Sequence, residues 1–150
     1  MCYRETKNKI YLEMADHIAN FILHHPNMPE DMVPYWDFNA PDIPNEPRDV
    51  SAATIIASAL YGLSIYSKNK KYYLITADKI IENVTSKYRS PTGENKGFLL
   101  LHSTGSKPGK SEVDVPIIYA DYYYLEALMR SKKSKAGKLL FLIFFFCGCI

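Results

Sequence analysis

The feature of this chain that most restricts its fold is an internal repeat. Tyr11-Leu12, Ala15-Asp16 and Ile18 recur 62 residues later as Tyr73-Leu74, Ala77-Asp78 and Ile80. Asp49-Val50 recurs 65 residues on as Asp114-Val115. The apolar positions within each copy follow a helical period. A repeat of this length built from helix pairs cannot bury its apolar face alone. It has to stack on neighbouring units in a closed or open helical array. The expected fold class is therefore all-α.

Four helices are predicted. Helix A spans about residues 9–24, with Lys9, Glu13, Asp16, His17, Asn20 and His24 as one polar stripe facing water and the rest facing inward. Helix B, about 50–66, is apolar on all sides, so it is expected to be buried, and its alanines allow close neighbours. Helix C, about 71–87, carries Asp78, Lys79, Glu82 and Asn83 on a polar face. Helix D starts near Asp114, read as its N-cap, tolerates Pro116 in its first turn and continues to Met129. The order is outer, inner, outer, inner: two helical hairpins. Short Ser67–Lys70 joins B to C, whereas long loops, 25–47 and 88–113, lead into B and D. Both long loops thus enter N-terminal ends of inner helices and gather on one side, the usual place for function.

Composition narrows the classes of partner. Of the 150 residues, 47% are hydrophobic and 23% charged, an ordinary globular balance, and the net charge of +2 with scattered lysines gives no footing for nucleic acid. Three cysteines at 2, 147 and 149 make no disulfide framework, and residues 1–9 are polar and charged rather than signal-like, so a cytoplasmic setting is expected. Residues 139–150 are almost wholly apolar but fall short of the ~20 needed for a membrane span. Cys147-Gly148-Cys149-Ile150 has the form of a prenylation box, with glycine a poor fit to it. The expected division is 1–138 as the folded unit and 139–150 as an apolar tail outside it.

Chemistry is expected in the loops. His102-Ser103-Thr104-Gly105-Ser106-Lys107-Pro108 gathers hydroxyls, a cation and an imidazole between the apolar Phe98–Leu101 and the aromatic-rich helix D. Such a stretch suits a polyhydroxylated, anionic ligand; its bland reading is a Ser/Gly/Pro turn. Trp36, the only tryptophan, is either a platform for a sugar ring or a loop anchor. Asp37 and Asp49 look like a carboxylate pair, yet an Asx-turn suits Asp37 in its proline-rich loop, and an N-cap with Arg48 as ion partner suits Asp49. His17, His24 and His25 read as solvated, no cluster has metal-ligand spacing, and no cofactor is implied.

The run Gly97–Leu128 (GFLLLHSTGSKPGKSEVDVPIIYADYYYLEAL), together with Tyr35-Trp36-Asp37-Phe38 and Arg48-Asp49-Val50-Ser51-Ala52 in the same order, resembles the unsaturated glucuronyl hydrolases, family 88 of the glycoside hydrolases. The resemblance runs to about Lys138. It implies a six-hairpin α/α toroid, of which this chain carries the C-terminal part, with Tyr3-Arg4-Glu5-Thr6 ending a preceding inner helix. It also implies hydrolysis of oligosaccharides left by polysaccharide lyases, by hydration of a 4,5-unsaturated uronic acid. In that family an aspartic acid protonates the double bond with a second aspartate nearby. Both lie upstream of the Trp36 motif, so no catalytic residue is assigned here. Ser103, Ser106 and Lys107, with Trp36, are the substrate-binding residues that the resemblance implies, Lys107 as a point charge for sulfate or carboxylate. The expected partner is an unsaturated uronic acid-containing oligosaccharide, with self-association through uncovered inner helices. The rival readings are a helical-repeat protein-interaction module and a non-functional truncated product.

Overall fold

The computed structural model describes residues 1–147. Its helices are α1 (Cys2–Thr6), α2 (Lys9–Leu23), α3 (Val50–Leu63), α4 (Lys70–Lys87) and α5 (Ile118–Cys147), with a 3-10 turn at Asn95–Gly97. Among the described residues there is no strand, only isolated antiparallel bridges in the loops. The fold is all-α, as the repeat implies. Residues 139–147 continue the backbone of α5, and the remainder of the expected tail, with the prenylation-like ending, lies outside the described residues. No helix among the described residues is long and apolar enough to cross a membrane.

Helix α3 is the centre of the core. Ala53, Ala57 and Thr54 are wholly buried and Leu60 and Tyr61 nearly so. Its small residues let α4 and α5 pack closely on it, while α2 touches it much less. Tyr73, Ile80 and Val84 of α4, and Ala120, Tyr124 and Ala127 of α5, complete this core. Each fully buried Ile or Val contributes roughly 1.5–3 kcal/mol relative to exposure.

Three expectations change. Asp16 and Asp78, half-exposed on their polar stripes, are engaged with other segments rather than only with water. Asp16 Oδ1 accepts from Ser67 Oγ and Tyr73 OH, both at 2.7 Å. Asp78 Oδ1 accepts from Tyr61 OH at 2.6 Å and Ser131 Oγ at 3.2 Å. The repeated aspartate is thus a joint: in each copy it ties its helix to a serine and to a tyrosine of other segments. The sequence periodicity marked it polar, and only packing shows where the polarity points.

The apolar face of α2 is the second change. Ile10, Met14, Ile18 and Phe21 are all more than half exposed. Of their repeat counterparts in α4, Thr76 and Ile80 are buried, whereas nothing among the described residues covers this face of α2. A matching stripe on α5, Ile118, Tyr122, Leu125 and Met129, is exposed too. Helix α3 itself is covered, apart from positions such as Ile55, which is 38% exposed.

Third, α5 begins at Ile118 and not near Asp114. Val115 precedes Pro116, which disfavours helical backbone at Val115. Val115 instead bridges Ser103 in antiparallel fashion, with both backbone hydrogen bonds made. Asp114 has a positive φ of 55°, and its carboxylate pairs with His102 Nδ1 at 2.7 Å. It is a loop residue and not a cap. Helix α3 also stops at Leu63, short of the expected Tyr66.

Candidate functional site

The two long loops, which lead into α3 and α5, meet beside the N-terminal end of α3. The amide of Val50, first residue of α3, donates to His102 O at 3.1 Å. Asp49 caps α3: its Oδ1 accepts from Ser51 N at 3.0 Å and Ser51 Oγ at 2.6 Å. The same oxygen takes the Thr104 amide at 3.4 Å, and Thr104 Oγ1 donates to Arg48 O at 3.1 Å. The loop between α4 and α5 is therefore stitched to the cap of α3. That explains why a Ser/Thr-rich stretch follows the apolar Leu100: its polar groups satisfy a helix end.

Arg48 does not pair with Asp49. Its guanidinium makes a two-point contact with Asp31, at 2.8 and 2.9 Å, donates to Val33 O and lies 4.8 Å from the Tyr35 ring centroid. Asp31 also accepts from Tyr88 OH at 3.0 Å. Burial pushes the Tyr88 phenol above its ordinary value, with Arg48 opposing and Asp31 adding to the rise. A single guanidinium nitrogen, Nη2, meets both Asp31 oxygens while Nη1 serves Val33 O, and Asp49 is already spent on its helix. Asp37 makes the expected Asx-turn, its Oδ1 accepting from Asn39 N at 2.7 Å.

Of the residues singled out from the sequence, the structure brings Trp36 and Lys107 together. Both act on Glu46, a buried carboxylate that sequence reasoning passed over. Glu46 Oε2 accepts from Trp36 Nε1 at 2.8 Å and from the Lys107 ammonium, and Oε1 accepts from the Asp42 amide at 3.3 Å. The ammonium also lies 5.6 Å from the Trp36 ring centroid, within the range of a cation–π contact. The Lys107 hydrogen bond holds the Glu46 carboxyl below the usual range against the opposing effect of burial, aided by Trp36 and the Asp42 amide. The only sequence cue was an acid in the same loop as the only tryptophan. Its partner lies 61 residues away, beyond any periodicity.

Ser103 and Ser106 share a narrow two-armed loop, bridged at Ser103–Val115 and Ser106–Ser111. Ser106 is exposed at the turn, and its Oγ accepts from Gly109 N at 3.3 Å. Ser103 is 0% exposed, and its Oγ has no hydrogen-bond partner among the described residues. Of the histidines read as solvated, His24 is exposed and stacks on Tyr72, while His25 is half-buried and stacks on Phe38 at 4.4 Å between centroids. Among the described residues no group of three or more His, Cys, Asp or Glu is placed to hold a metal ion.

Comparison with known proteins places this architecture. No protein-family model matches the chain. An unsaturated glucuronyl hydrolase of Formosa agariphila is 47% identical over 133 residues, covering 88% of this chain and 33% of the relative. One from Bacillus sp. (strain GL1) is 34% identical, covering 87% of this chain and 35% of the relative. The crystal structure of an unsaturated glucuronyl hydrolase specific for heparin superposes with a TM-score of 0.87 at 46% identity, over 89% of this chain and 36% of that one. A variant of the Streptococcus agalactiae enzyme complexed with dGlcA-GalNAc6S gives 0.78 at 28% identity, over 86% and 35%. The chain spans about a third of the length of the relatives it matches. Over that third, this chain with its paired hairpins and interlocked loops is homologous to the unsaturated glucuronyl hydrolases and carries part of their α/α toroid.

Proposed function

We propose that the chain forms the substrate-loop portion of an unsaturated glucuronyl hydrolase, releasing 4,5-unsaturated uronic acid from lyase-generated oligosaccharides by hydration of the vinyl ether. The observation that carries this is the convergence of both long loops, with Trp36, Ser106 and Lys107, at the N-terminal ends of α3 and α5. This is the rim where a toroid of such hairpins opens, and where polar loops on a rigid scaffold take a ligand. Hydration of an enol ether needs a carboxyl poised to protonate carbon and then to assist water. Four carboxylates on this side are already engaged. Asp49 caps a helix, Asp31 holds Arg48, Glu46 holds Lys107 and Asp37 closes a turn. The acid–base pair belongs to the part of the enzyme outside these 150 residues, and the reaction, on cysteine usage, to the cytoplasm.

On its own the chain is therefore expected to leave unsaturated disaccharides intact. The assay is the loss of ultraviolet absorbance of the 4,5 double bond on incubation with purified protein. Turnover in the ordinary enzymatic range, ~1 to 1000 per second, would overturn the assignment of the acid–base pair elsewhere. A second reading, a helical module that binds a protein partner, is favoured by one observation only: the exposed apolar stripes of α2 and α5.

A further inference from the structure

Two apolar faces stand open, and the internal repeat sets them in register with the two sides of one contact that the chain does make. That contact is α4 on α3. Thr76, Ala77 and Ile80 of α4 are buried, and Asp78 takes the hydroxyl of Tyr61 from α3. At the offset of 62, the counterparts of Thr76 and Ile80 are Met14 and Ile18 of α2, 57% and 53% exposed. On the other side of the contact, Ala53, Ala57, Leu60 and Ser64 of α3 are at most 3% exposed. Ala57 lies one turn before Tyr61, so this stripe borders the side that α4 takes. At the offset of 65, its counterparts in α5 are Ile118, Tyr122, Leu125 and Met129, all 49% exposed or more. Among the described residues α2 and α5 do not touch. One copy thus carries the outer-helix half of a repeat contact on α2 and the inner-helix half on α5, and cannot join them to each other.

We propose that these faces are an interface between copies of this chain: α2 of one copy docks on α5 of the next as α4 docks on α3, and three copies close a ring. The repeat itself marks a second copy as the occupant. Stacked units bury one another's apolar faces, and both mating surfaces of the stack are present in one sequence. The contact is heterologous, and such a contact closes when its rotation divides a full turn. Here the step is about a third of a turn. The two hairpins cover 36% of a relative built as an α/α toroid, and superpose on it with a TM-score of 0.87. Apolar association supplies the driving force. By the same offsets Tyr3, Ile65 and Arg130 hold equivalent places, so α1 meets the end of the preceding copy's α5. Helix α1 has five residues, none of them buried, and is the piece that gives way. The inference does not depend on the hydrolase reading.

The test is sedimentation of the 150-residue chain over a concentration series, where the wild type should pass from monomer to trimer. Ile18→Lys spoils the α2 face and Tyr122→Lys the α5 face. Each variant alone should associate at least ~10-fold more weakly than wild type. Mixed one to one, they should pair, because the intact α5 of the first accepts the intact α2 of the second. The pair should grow no further, since both of its outer faces are spoiled. Both positions are exposed, so the fold should survive, as judged by circular dichroism. Met14→Lys and Leu125→Lys stand in for a variant that does not fold. A monomer throughout the series overturns the proposal. A variant that self-associates as tightly as wild type also overturns it, by showing a like-with-like contact, and so does a mixture that fails to pair. Wild-type growth beyond three copies overturns the closure. None of these readings uses the ultraviolet assay, so loss of this idea and loss of the hydrolase reading are separable.

Discussion

Single residues show how far one side chain decides local structure. Asp49 and Asp114 open repeat copies with the same dipeptide, yet only Asp49 is a cap. Asp49→Ala should cost ~0.5–2 kcal/mol, near the upper end because Ser51 and the Thr104 amide lose an acceptor as well. Asp114→Ala removes an exposed pair and should cost ~0–1 kcal/mol. Chemical denaturation midpoints of the two variants separate these values, and equal costs would return Asp114 to the role of cap. Glu46 gives a pH signature. Its folded pKa lies below the ordinary 4.5, so its stabilisation is complete above that value and is lost as pH falls through the folded one. Trp36 emission should therefore shift in acid below about 4.5, and Glu46→Gln should remove that step. A step unchanged in Glu46→Gln would assign it to another carboxylate.

Helices pack here through small residues and buried polar joints. Ala57 is wholly buried at the contact of α3 with its neighbours. Ala57→Leu should destabilise by ~1–3 kcal/mol through overpacking, whereas Ile55→Lys, at a partly exposed position of the same helix, should cost less. The tyrosine–aspartate joint makes a second test. Burial, then the bond to Asp78, pushes the Tyr61 phenol well above its ordinary value. At Asp78 burial opposes ionisation, but Tyr61, Lys135 and Ser131 together outweigh it and leave the carboxyl below its usual range. Tyr61→Phe should cost ~1.5–3 kcal/mol, the range for a hydrogen bond to a charged group. A thermal melt unchanged in Tyr61→Phe would reduce the joint to a surface contact. The bounds of α2, α3 and α4 were legible to within a few residues because period and caps are local, whereas α5 runs to Cys147, well past the expected Met129. The start of α5 was not, since the bridge from Val115 to Ser103 and the proline after it outweigh the capping signal.

The whole molecule is marked by what its two hairpins leave open. The stripes on α2 and α5 lie at positions whose repeat counterparts are largely buried. Apolar patches beyond a few hundred Å² drive association. The chain alone should therefore scatter light as an oligomer or aggregate. Removal of residues 139–150 should lessen this without abolishing it, and adding Ile18→Lys and Tyr122→Lys should lessen it further. A compact, cooperatively melting monomer from the unaltered chain would show that two hairpins close their own core, and would favour the interaction-module reading.

Repeat period, helix order, the gathering of long loops on one side and the family resemblance were all legible in the linear chain, because each depends on short spacings or on residue identity. Tertiary contact alone decided the partners of the charges. Arg48 chose Asp31 over its neighbour Asp49, and Lys107 found Glu46. Asp16 and Asp78 took the hydroxyls of tyrosines on other helices. Spacing along a helix tells which residues share a face. It carries no information about what a different element, 50 or 60 residues away, brings against that face, and an ion pair or a buried hydrogen bond is settled by that encounter.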